Sequence, residues 1–457
     1  MDIMQTHILP GFYNTFKAVP MSNYQQNGVL GVAAIGMVMD WGKDDEPTEL
    51  LSEDLITGAS QRKIGYTISN TESILPYMLT LISAPRAYFV KMNKNGVKAS
   101  VTVGDIKIEA KYKGIFGNNL SVVITENTPS TGKYTIVVNI SGVRRESFVV
   151  SNVDELLAVN SNYVVFSTEE ASPTITATTG ATLINGTNGT VDTTSYQAFK
   201  DELKYKQFNV CAIMLTNDTA NQTVIDFVNN QVKVKNKLVT GIVYNKPMLN
   251  DRNIISVEQG IECDDFTITT ELNIPFVASL RAGCPLNESL TDLNLTELVG
   301  ARKIINPIND DDDVELENAV AQGRFVYRYI NDGSVRIVQD INTLVNFTTD
   351  EPKGYRKNRH IAIIDYLVNE EQRIAHDGVI GKYSNTEEKR TNVKARFINI
   401  FKELFDMGAI REYDPLTDLI LNMGDETDKV NVNQVVKPTD SIEIFNVTTN
   451  VDFNVEV

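Results

Sequence analysis

The sequence is poor in the residues that most catalytic and metal sites require. It has three cysteines and three histidines among 457 residues, and no two of them stand at the spacing of a zinc site. The cysteines Cys211, Cys263 and Cys284 are odd in number and widely spaced, which predicts buried thiols in a reducing compartment. There is no Gly-x-x-x-x-Gly-Lys-Ser/Thr loop and no Gly-x-Ser-x-Gly elbow. We therefore predict no catalytic residue, no cofactor and no metal.

Long hydrophobic stretches and an excess of positive charge are also missing. The longest apolar run, residues 29–39, contains two glycines and is shorter than the roughly 20 residues of a membrane-spanning helix. Residues 1–10 carry no basic stretch followed by a hydrophobic core, so we expect no signal peptide. The formal net charge of −17 argues against nucleic acid and anionic membranes as partners. We expect neither nucleic-acid binding nor membrane insertion.

Extended segments are predicted at both ends of the chain. Residues 451–457 alternate apolar and polar side chains, as a β-strand does. The apolar face of that strand consists of Val451, Phe453, Val455 and Val457. Near the start, Pro10-Gly11 excludes a helix, and the aromatic residues of this arm are Phe12, Tyr13 and Phe16. Each arm either pairs within its own monomer or adds a strand to another copy of the chain.

Between the arms, the patterns predict a multidomain fold of the α/β and α+β classes. One region is rich in Thr, Val, Asn and Gly and has short alternating runs between turn signals, which predicts an all-β domain. The regions on both sides of it combine continuous apolar runs with amphipathic helices, as parallel strands covered on both faces do. The predicted parts are an N-terminal arm (1–24), an α/β domain (25–98 and 192–345), an inserted β-rich domain (99–191), a C-terminal α+β domain (346–440) and a C-terminal arm (441–457).

Two amphipathic helices are predicted in the C-terminal domain. One runs from about residue 357 to 371, and the other from about 388 to 407, with Gly408 as its stop. The predicted buried residues of the first helix are Ile361, Ile364, Leu367 and Val368. Those of the second are Val393, Phe397, Ile400, Phe401, Leu404 and Phe405.

Seven segments, in order along nearly the whole chain, resemble a known family. They are Pro10-Gly-Phe-Tyr13, Asp40-Trp-Gly42, Ala110-Lys-Tyr-Lys-Gly114-Ile-Phe-Gly-Asn118, Phe276-Val-Ala-Ser-Leu-Arg-Ala-Gly283 with Ser289-Leu-Thr291, Val335-Arg-Ile-Val-Gln-Asp-Ile-Asn-Thr343, Asn358-Arg-His-Ile-Ala-Ile-Ile-Asp365 and Ile380-Gly-Lys-Tyr-Ser-Asn385. Together they resemble the tail sheath proteins of contractile phage tails and of phage-tail-like bacteriocin particles. Two places depart from the family's usual residues: Ile115-Phe116 replaces a small residue followed by Trp, and Ser279 replaces Gly.

The resemblance implies a structural subunit that needs no cofactor. Such subunits assemble as stacked hexameric rings around an inner tail tube and contract to drive the tube through a target cell envelope. The implied partners are further copies of the chain, the inner tube protein, and baseplate and tail-terminator proteins. The implied location is the tail of a virion or phage-tail-like particle, assembled in the host cytoplasm. In this family the terminal arms add strands to sheets of neighbouring subunits.

A basic cluster in the C-terminal helices is the predicted contact with the inner tube. The chain is acidic overall, yet several cations are predicted on the solvent sides of these helices, where they would complement an acidic strip. They are Arg356, Lys357, Arg359, Lys389, Arg390, Lys394 and Arg396. The alternative for each residue is an ordinary solvated helix face.

Two other classes of protein share parts of this pattern. An α/β hydrolase with a β-rich carbohydrate-binding insertion would have a similar composition and is the alternative function. The missing nucleophile and histidine motifs count against it. An extracellular adhesin would also be rich in strands, Asn and Thr, but it would carry a signal peptide or surface anchor.

Overall fold

The structure of the protein is a computed structural model that describes residues 31–127, 132–235, 237–308 and 313–450. The chain first contributes strands and helices that precede the β-rich region. These are β1 (Val32–Met37), β2 (Thr48–Leu51), α1 (Ser52–Thr57), α2 (Ser60–Ile64), α3 (Thr71–Thr80) and β3 (Arg86–Lys91).

The β-rich region follows as two antiparallel sheets that pack face to face. Its elements are β4 (Ser100–Val103), β5 (Ile106–Ala110), β6 (Leu120–Glu126), β7 (Tyr134–Ile140), β8 (Val143–Val150), α4 (Val153–Leu157), β9 (Val164–Ser167) and β10 (Thr178–Thr182). One sheet has the order β10-β6-β7-β8 and the other β4-β5-β9. Alternate residues such as Ile106, Ile108, Val122 and Ile136 are buried in a shared core, as expected for strands with one solvated face. The predicted all-β character of this region is confirmed.

The chain then returns to the α/β body. The elements of this part are α5 (Thr193–Leu203), β11 (Val210–Ile213), α6 (Asp218–Asn229), β12 (Thr240–Tyr244), β13 (Ile254–Val257), β14 (Gly260–Cys263), β15 (Thr267–Ile268), α7 (Thr270–Gly283), α8 (Leu295–Val299), β16 (Ala301–Ile305), α9 (Asp313–Ala321), β17 (Arg324–Phe325), β18 (Tyr327–Tyr329) and β19 (Val335–Ile337).

The largest sheet of the described residues has the order β17-β13-β12-β11-β1-β3-β2. Its strands run parallel except β2, which pairs with β3 in the antiparallel sense. Alternate residues of β1 enter different cores: Ala33 and Ile35 face a core that includes α3 and α7, whereas Val32 and Ala34 face one that includes α5 and α6. The predicted α/β class with helices on both faces is confirmed.

The C-terminal part contains two long helices and a hairpin. Its elements are α10 (Asn358–Gly378), α11 (Glu387–Asp406), β20 (Leu419–Met423) and β21 (Val430–Gln434). Helix α10 continues seven residues beyond the predicted end at 371, because no glycine or proline interrupts it before Gly378.

The predicted buried face of α10 is partly wrong. Ile361 and Leu367 are buried, but the other two predicted residues, Ile364 and Val368, are only half-buried. Their expected places are taken by Ile363 and Tyr366. Helix α10 lies between α11 and the α/β body, so its buried arc is rotated from that of a helix covered on one side.

In α11 one predicted core residue is exposed. Phe397, Ile400, Phe401 and Leu404 are buried as predicted, Val393 is half-buried, and Phe405 is 48% exposed. The chain reverses at Gly408, which has a φ of 74°. This reversal brings Ala409 and Ile410 into the core that Phe405 was predicted to enter.

The only tryptophan of the chain lies where the β-rich region meets the α/β body. Trp41 follows β1, is fully buried, and packs edge-on against Tyr112 and Phe116, each 5.0 Å away between ring centroids. Gly114 lies beside it with a φ of 127°, and a Cβ there would overlap the carbonyl group of Asp40. The close approach of two backbones explains why a glycine stands at this point.

A buried ion pair of the body lies beside the start of the C-terminal part. Arg281 on α7 donates to Asp340 at 2.8 Å, and the two side chains are 4% and 0% exposed. The same carboxylate accepts from the Leu290 backbone at 3.2 Å and from Asn358, the first residue of α10, at 2.8 Å. Its lone pairs are therefore shared among three segments, as a buried charge requires.

Candidate assembly surfaces

The last described residues form an extended segment that the body does not cover. Residues 441–450 have no regular secondary structure, and four large apolar side chains within them are 77–81% exposed. These are Ile442, Ile444, Phe445 and Val447. Such a contiguous exposed apolar run marks an interaction surface. The arm residues predicted at the two ends of the chain lie outside the described residues. They are Phe12, Tyr13, Phe16, Val451, Phe453, Val455 and Val457.

This segment is anchored at its root by polar contacts. Lys357 Nζ lies 2.7 Å from an oxygen of Asp440 and 3.2 Å from one of Glu443. Gln339 donates to the other Glu443 oxygen at 2.8 Å. Arg359 donates to Thr439 at 2.7 Å. These contacts fix where the segment leaves the body and end at Glu443.

The hairpin β20–β21 is a second exposed apolar element. Its strands pair only with each other among the described residues, so each keeps an open edge. Its inner end is held by Leu419, which is fully buried. Several of its apolar side chains and those next to it are 39–53% exposed, namely Ile420, Met423, Val430, Val432 and Val435. A lone two-stranded sheet with open edges readily accepts further strands.

The sequence prediction missed this hairpin. Its signal is visible in retrospect: the alternating run Val430-Asn-Val432-Asn433 follows the turn residues Gly424-Asp425.

Glu371 connects α10 to this hairpin. One of its oxygens accepts from Gln434 Nε2 at 3.0 Å, and the other is buried without a hydrogen-bond partner. Burial raises the pKa of Glu371 to about 7, although the hydrogen bond from Gln434 acts in the opposite direction. The folded state therefore keeps a proton that the unfolded chain releases at lower pH.

We expect Glu371 to make the monomer less stable as the pH rises. Because its pKa in the folded state exceeds the ordinary value, its contribution to the free energy of unfolding declines by about 2 kcal/mol between roughly pH 5 and pH 8. Glu371→Gln should remove this part of the decline. Burial also raises the pKa of Asp365 to about 7, so the variant should retain a smaller slope. Urea denaturation at both pH values measures the difference; equal slopes in variant and wild type would contradict the assignment.

The predicted basic cluster is divided between two places. Arg356, Lys357 and Arg359 lie at the start of α10, and the prediction that they face solvent is wrong for Arg359, which is only 6% exposed. Arg356 donates to the Val320 carbonyl group. The residues that follow α11 fold back over this end of α10, and the C-terminal segment covers these side chains. The sequence pattern of α10 alone does not reveal this cover.

The other four cations lie at the opposite end of the helix pair. Arg396 donates to the Tyr383 hydroxyl at 2.9 Å, and the Lys389 ammonium lies 5.4 Å from the centre of the Tyr383 ring. Arg390 donates to the Asn385 side chain at 2.8 Å. Lys394 is half-buried and forms no ion pair with any described residue. The turn before α11 thus contacts three of these cations, Lys389, Arg390 and Arg396.

The cysteines and possible metal ligands bear on the predicted absence of catalytic and metal sites. Cys211 and Cys284 are buried free thiols as predicted, and Cys263 is half-buried. Burial raises the pKa of Cys211 to about 12. Across the described ranges, no group of three or more His, Cys, Asp or Glu side chains is placed to hold a metal ion. No helix in the described part of the chain has the length and apolarity to cross a membrane.

Comparisons with known proteins agree along the whole chain. Residues 94–188 match the β-sandwich domain of phage tail sheath proteins, residues 189–343 the central domain, and residues 350–452 the C-terminal domain. The chain is 25% identical to the phage-like element PBSX protein XkdK of Bacillus subtilis, with 98% of this chain and 97% of that protein covered.

Two solved sheath tail proteins have the same fold. That of Desulfitobacterium hafniense is 28% identical, with a TM-score of 0.76 and coverage of 94% of this chain and 97% of the other. That of Listeria innocua is 25% identical, with a TM-score of 0.80 and coverage of 91% and 93%. The chain therefore belongs to the phage tail sheath protein family, and it is a structural tail sheath protein rather than an enzyme.

Proposed function

We propose that the chain polymerises as stacked hexameric rings around an inner tail tube and that the polymer contracts to drive this tube through a target cell envelope. Assembly takes place in the host cytoplasm. A baseplate forms one end of the polymer and tail-terminator proteins form the other. The free energy of contraction is stored in the lattice, since the contracted state makes better contacts between subunits than the extended one.

The observation that carries the proposal is that one chain contains both an uncovered extended segment and a hairpin with open edges. Residues 441–450 present apolar side chains to solvent, and the hairpin β20–β21 has unpaired edges within the described residues. A strand from one subunit that adds to the hairpin of another would cover the apolar side chains of the segment and pair an open edge of the hairpin. Each subunit would then remain tethered while the rigid bodies rotate, and many tethers act together in the lattice.

The purified chain is expected to form rings or striated tubes without nucleotide or metal. Assembly needs only strand addition and burial of the exposed apolar side chains, neither of which consumes a cofactor. Negative-stain electron microscopy and sedimentation over a concentration series, with and without the tube protein, measure this. A chain that remained monomeric at the highest concentration under both conditions would contradict the proposal.

The β-rich region is proposed as a peripheral insertion of the α/β domain, spanning residues 99–191. Supporting this, its two ends meet: Val97 pairs with Thr187, and Ser100 with Ile184. A region that leaves and re-enters the body at one point can project outward without interrupting contacts between neighbouring bodies.

Charge reversal near the start of α11 is expected to weaken binding of the tube selectively. Arg396 contacts Tyr383 at the surface, and Lys394 lies two residues earlier on α11, so Lys394→Glu with Arg396→Glu would oppose an acidic strip on the tube. Co-sedimentation with tube protein should fall about tenfold or more at low salt, since a close like-charge contact costs several kcal/mol. Tubeless polymers should be unaffected. Equal loss of both would indicate a folding role for these residues.

A further inference from the structure

A group of lysines surrounds an exposed tyrosine at one corner of the α/β body. Tyr205, just after α5, is 84% exposed. The Lys204 ammonium lies 5.1 Å from the centre of its ring, and that of Lys235 lies 5.7 Å away. Lys237 donates to the Lys206 carbonyl group, which joins the two stretches of chain. We call Lys204, Tyr205, Lys206, Lys233, Lys235 and Lys237 the lysine corner.

The shape of the chain at this point presents the corner to solvent. Helix α6 ends in a π-helical turn at Asn230–Val234, a conformation that is rare and often found at functional sites. After this turn Val234 is 70% exposed, and Lys233 and Lys235 are exposed on either side of it. The corner therefore combines an aromatic ring and an aliphatic side chain with a surrounding positive charge, the composition of an interface centre and its rim.

The charges of the corner are largely unpaired. Of its five lysines, only Lys204 forms an ion pair with a described residue, Asp201 at 3.6 Å. Burial, together with the nearby charge of Lys235, lowers the pKa of Lys237 to about 8. An anionic partner would relieve this repulsion. Because the whole chain has a net charge of −17, the rest of the chain carries a large excess of negative charge.

One stretch of α10 contacts both the chain next to the corner and the hairpin β20–β21. Asn369 exchanges two hydrogen bonds with the Leu238 backbone, at 3.1 and 2.9 Å, directly after the lysine run. Two residues further on, Glu371 accepts from Gln434 of β21. Positions 369 and 371 point to different sides of the helix, so α10 contacts the corner on one side and the hairpin on another.

We propose that the lysine corner is a docking surface for an acidic face of a second copy of this chain; the choice of partner rests on the proposed polymerisation. A second copy supplies the acidic surface in excess, and the central tyrosine supplies apolar contact area. Nucleic acid fits less well, because the acidic remainder of the protein would repel a long polyanion on both sides of so small a patch.

The proposal is tested by charge reversal with a control of equal charge. The test variant carries Lys204→Glu, Lys233→Glu and Lys235→Glu, which remove one exposed ion pair, that of Lys204 with Asp201, and no other ion pair of the described fold. The control carries Lys133→Glu, Arg144→Glu and Lys353→Glu, which are exposed cations elsewhere. The onset concentration for polymers is measured by sedimentation at low and high salt. We expect it to rise about tenfold or more in the test variant at low salt, to converge with wild type at high salt, and to change little in the control.

Each outcome has one meaning. If wild type polymerises and both variants shift equally, net charge alone is responsible and the corner proposal is overturned; if neither shifts, it is overturned as well. If wild type does not polymerise, the sheath function fails separately, and the corner is assessed by a photo-reactive phenylalanine derivative at position 205 in the concentrated full chain. Cross-links to acidic peptides of a second copy would support the proposal. Absence of intermolecular cross-links, or cross-links to added DNA or tube protein alone, would overturn it.

Discussion

Removal of residues 444–457 is expected to abolish ordered polymers and to leave a folded monomer. The cut falls directly after Glu443, the last anchored residue, so the contacts of Lys357 and Gln339 with the root remain. Residues 444–450 are all exposed and form no hydrogen bond with the described body. Their loss should therefore shift the melting temperature of the monomer little, whereas electron micrographs should show no tubes.

The size of the expected effect follows from strand addition. A donated strand of about five residues makes about five backbone hydrogen bonds at roughly 0.5–1.5 kcal/mol net each, and each buried large apolar side chain adds roughly 1.5–3 kcal/mol before ordering costs. A loss of several kcal/mol per subunit, repeated around every ring, exceeds what a cooperative lattice tolerates.

Point substitutions separate the faces of the predicted strand. Phe453→Asp with Val455→Asp should reproduce the truncation, because these side chains would meet the core of the acceptor. Asp452→Ser with Asn454→Ser is the matched control and should be nearly silent, since the opposite face stays in solvent. If the truncated chain unfolds or aggregates as a monomer, the strand belongs to its own subunit and exchange between subunits is wrong.

Arg281→Met is expected to lower the free energy of unfolding by about 3–5 kcal/mol. The substitution leaves the Asp340 carboxylate buried with its amide partners but without its counter-ion. The double variant Arg281→Met with Asp340→Asn should recover part of this loss, because the amide removes the unpaired charge and keeps an oxygen that accepts a hydrogen bond. Chemical denaturation of the polymerisation-deficient truncated chain measures these values.

An exposed ion pair provides the comparison. Lys303 and Glu262 lie 2.8 Å apart with side chains 64% and 46% exposed, so Lys303→Met should cost less than about 1 kcal/mol. If Arg281→Met cost no more than Lys303→Met, the buried pair would contribute no more to stability than an exposed one.

The sequence predicted best those elements whose partners are near in the chain. The short alternating runs that predict the all-β domain include residues 120–125 and 134–140, and β6 and β7 coincide with them to within one residue, because a hairpin buries one face of each strand and leaves a period of two. The hairpin formed by β18 and β19 follows from Asn331-Asp-Gly333 between two apolar runs, and Gly333 has the φ of 79° that the turn needs.

The failures concern contacts between residues far apart in the chain. Arg359 was predicted at the surface of α10, but Thr439, eighty residues later, covers it. Helix α10 buries Ile363 in place of Ile364 because it is enclosed from two sides. The exposed apolar hairpin β20–β21 was missed although the run at 430–433 alternates, because only Leu419 of its two strands is buried and the burial pattern that marks most strands is weak. The assembly surfaces are thus the parts least visible in the sequence of one chain.

The position of Trp41 has an optical consequence. Indole emission depends on the polarity around the ring, and this chain has one indole, which is fully enclosed between the α/β body and the β-rich region. The fluorescence of the unmodified protein therefore reports on a single junction. Because every subunit carries the same probe in the same place, a loosening of the β-rich region during contraction would change the emission of the whole particle at once, without any label.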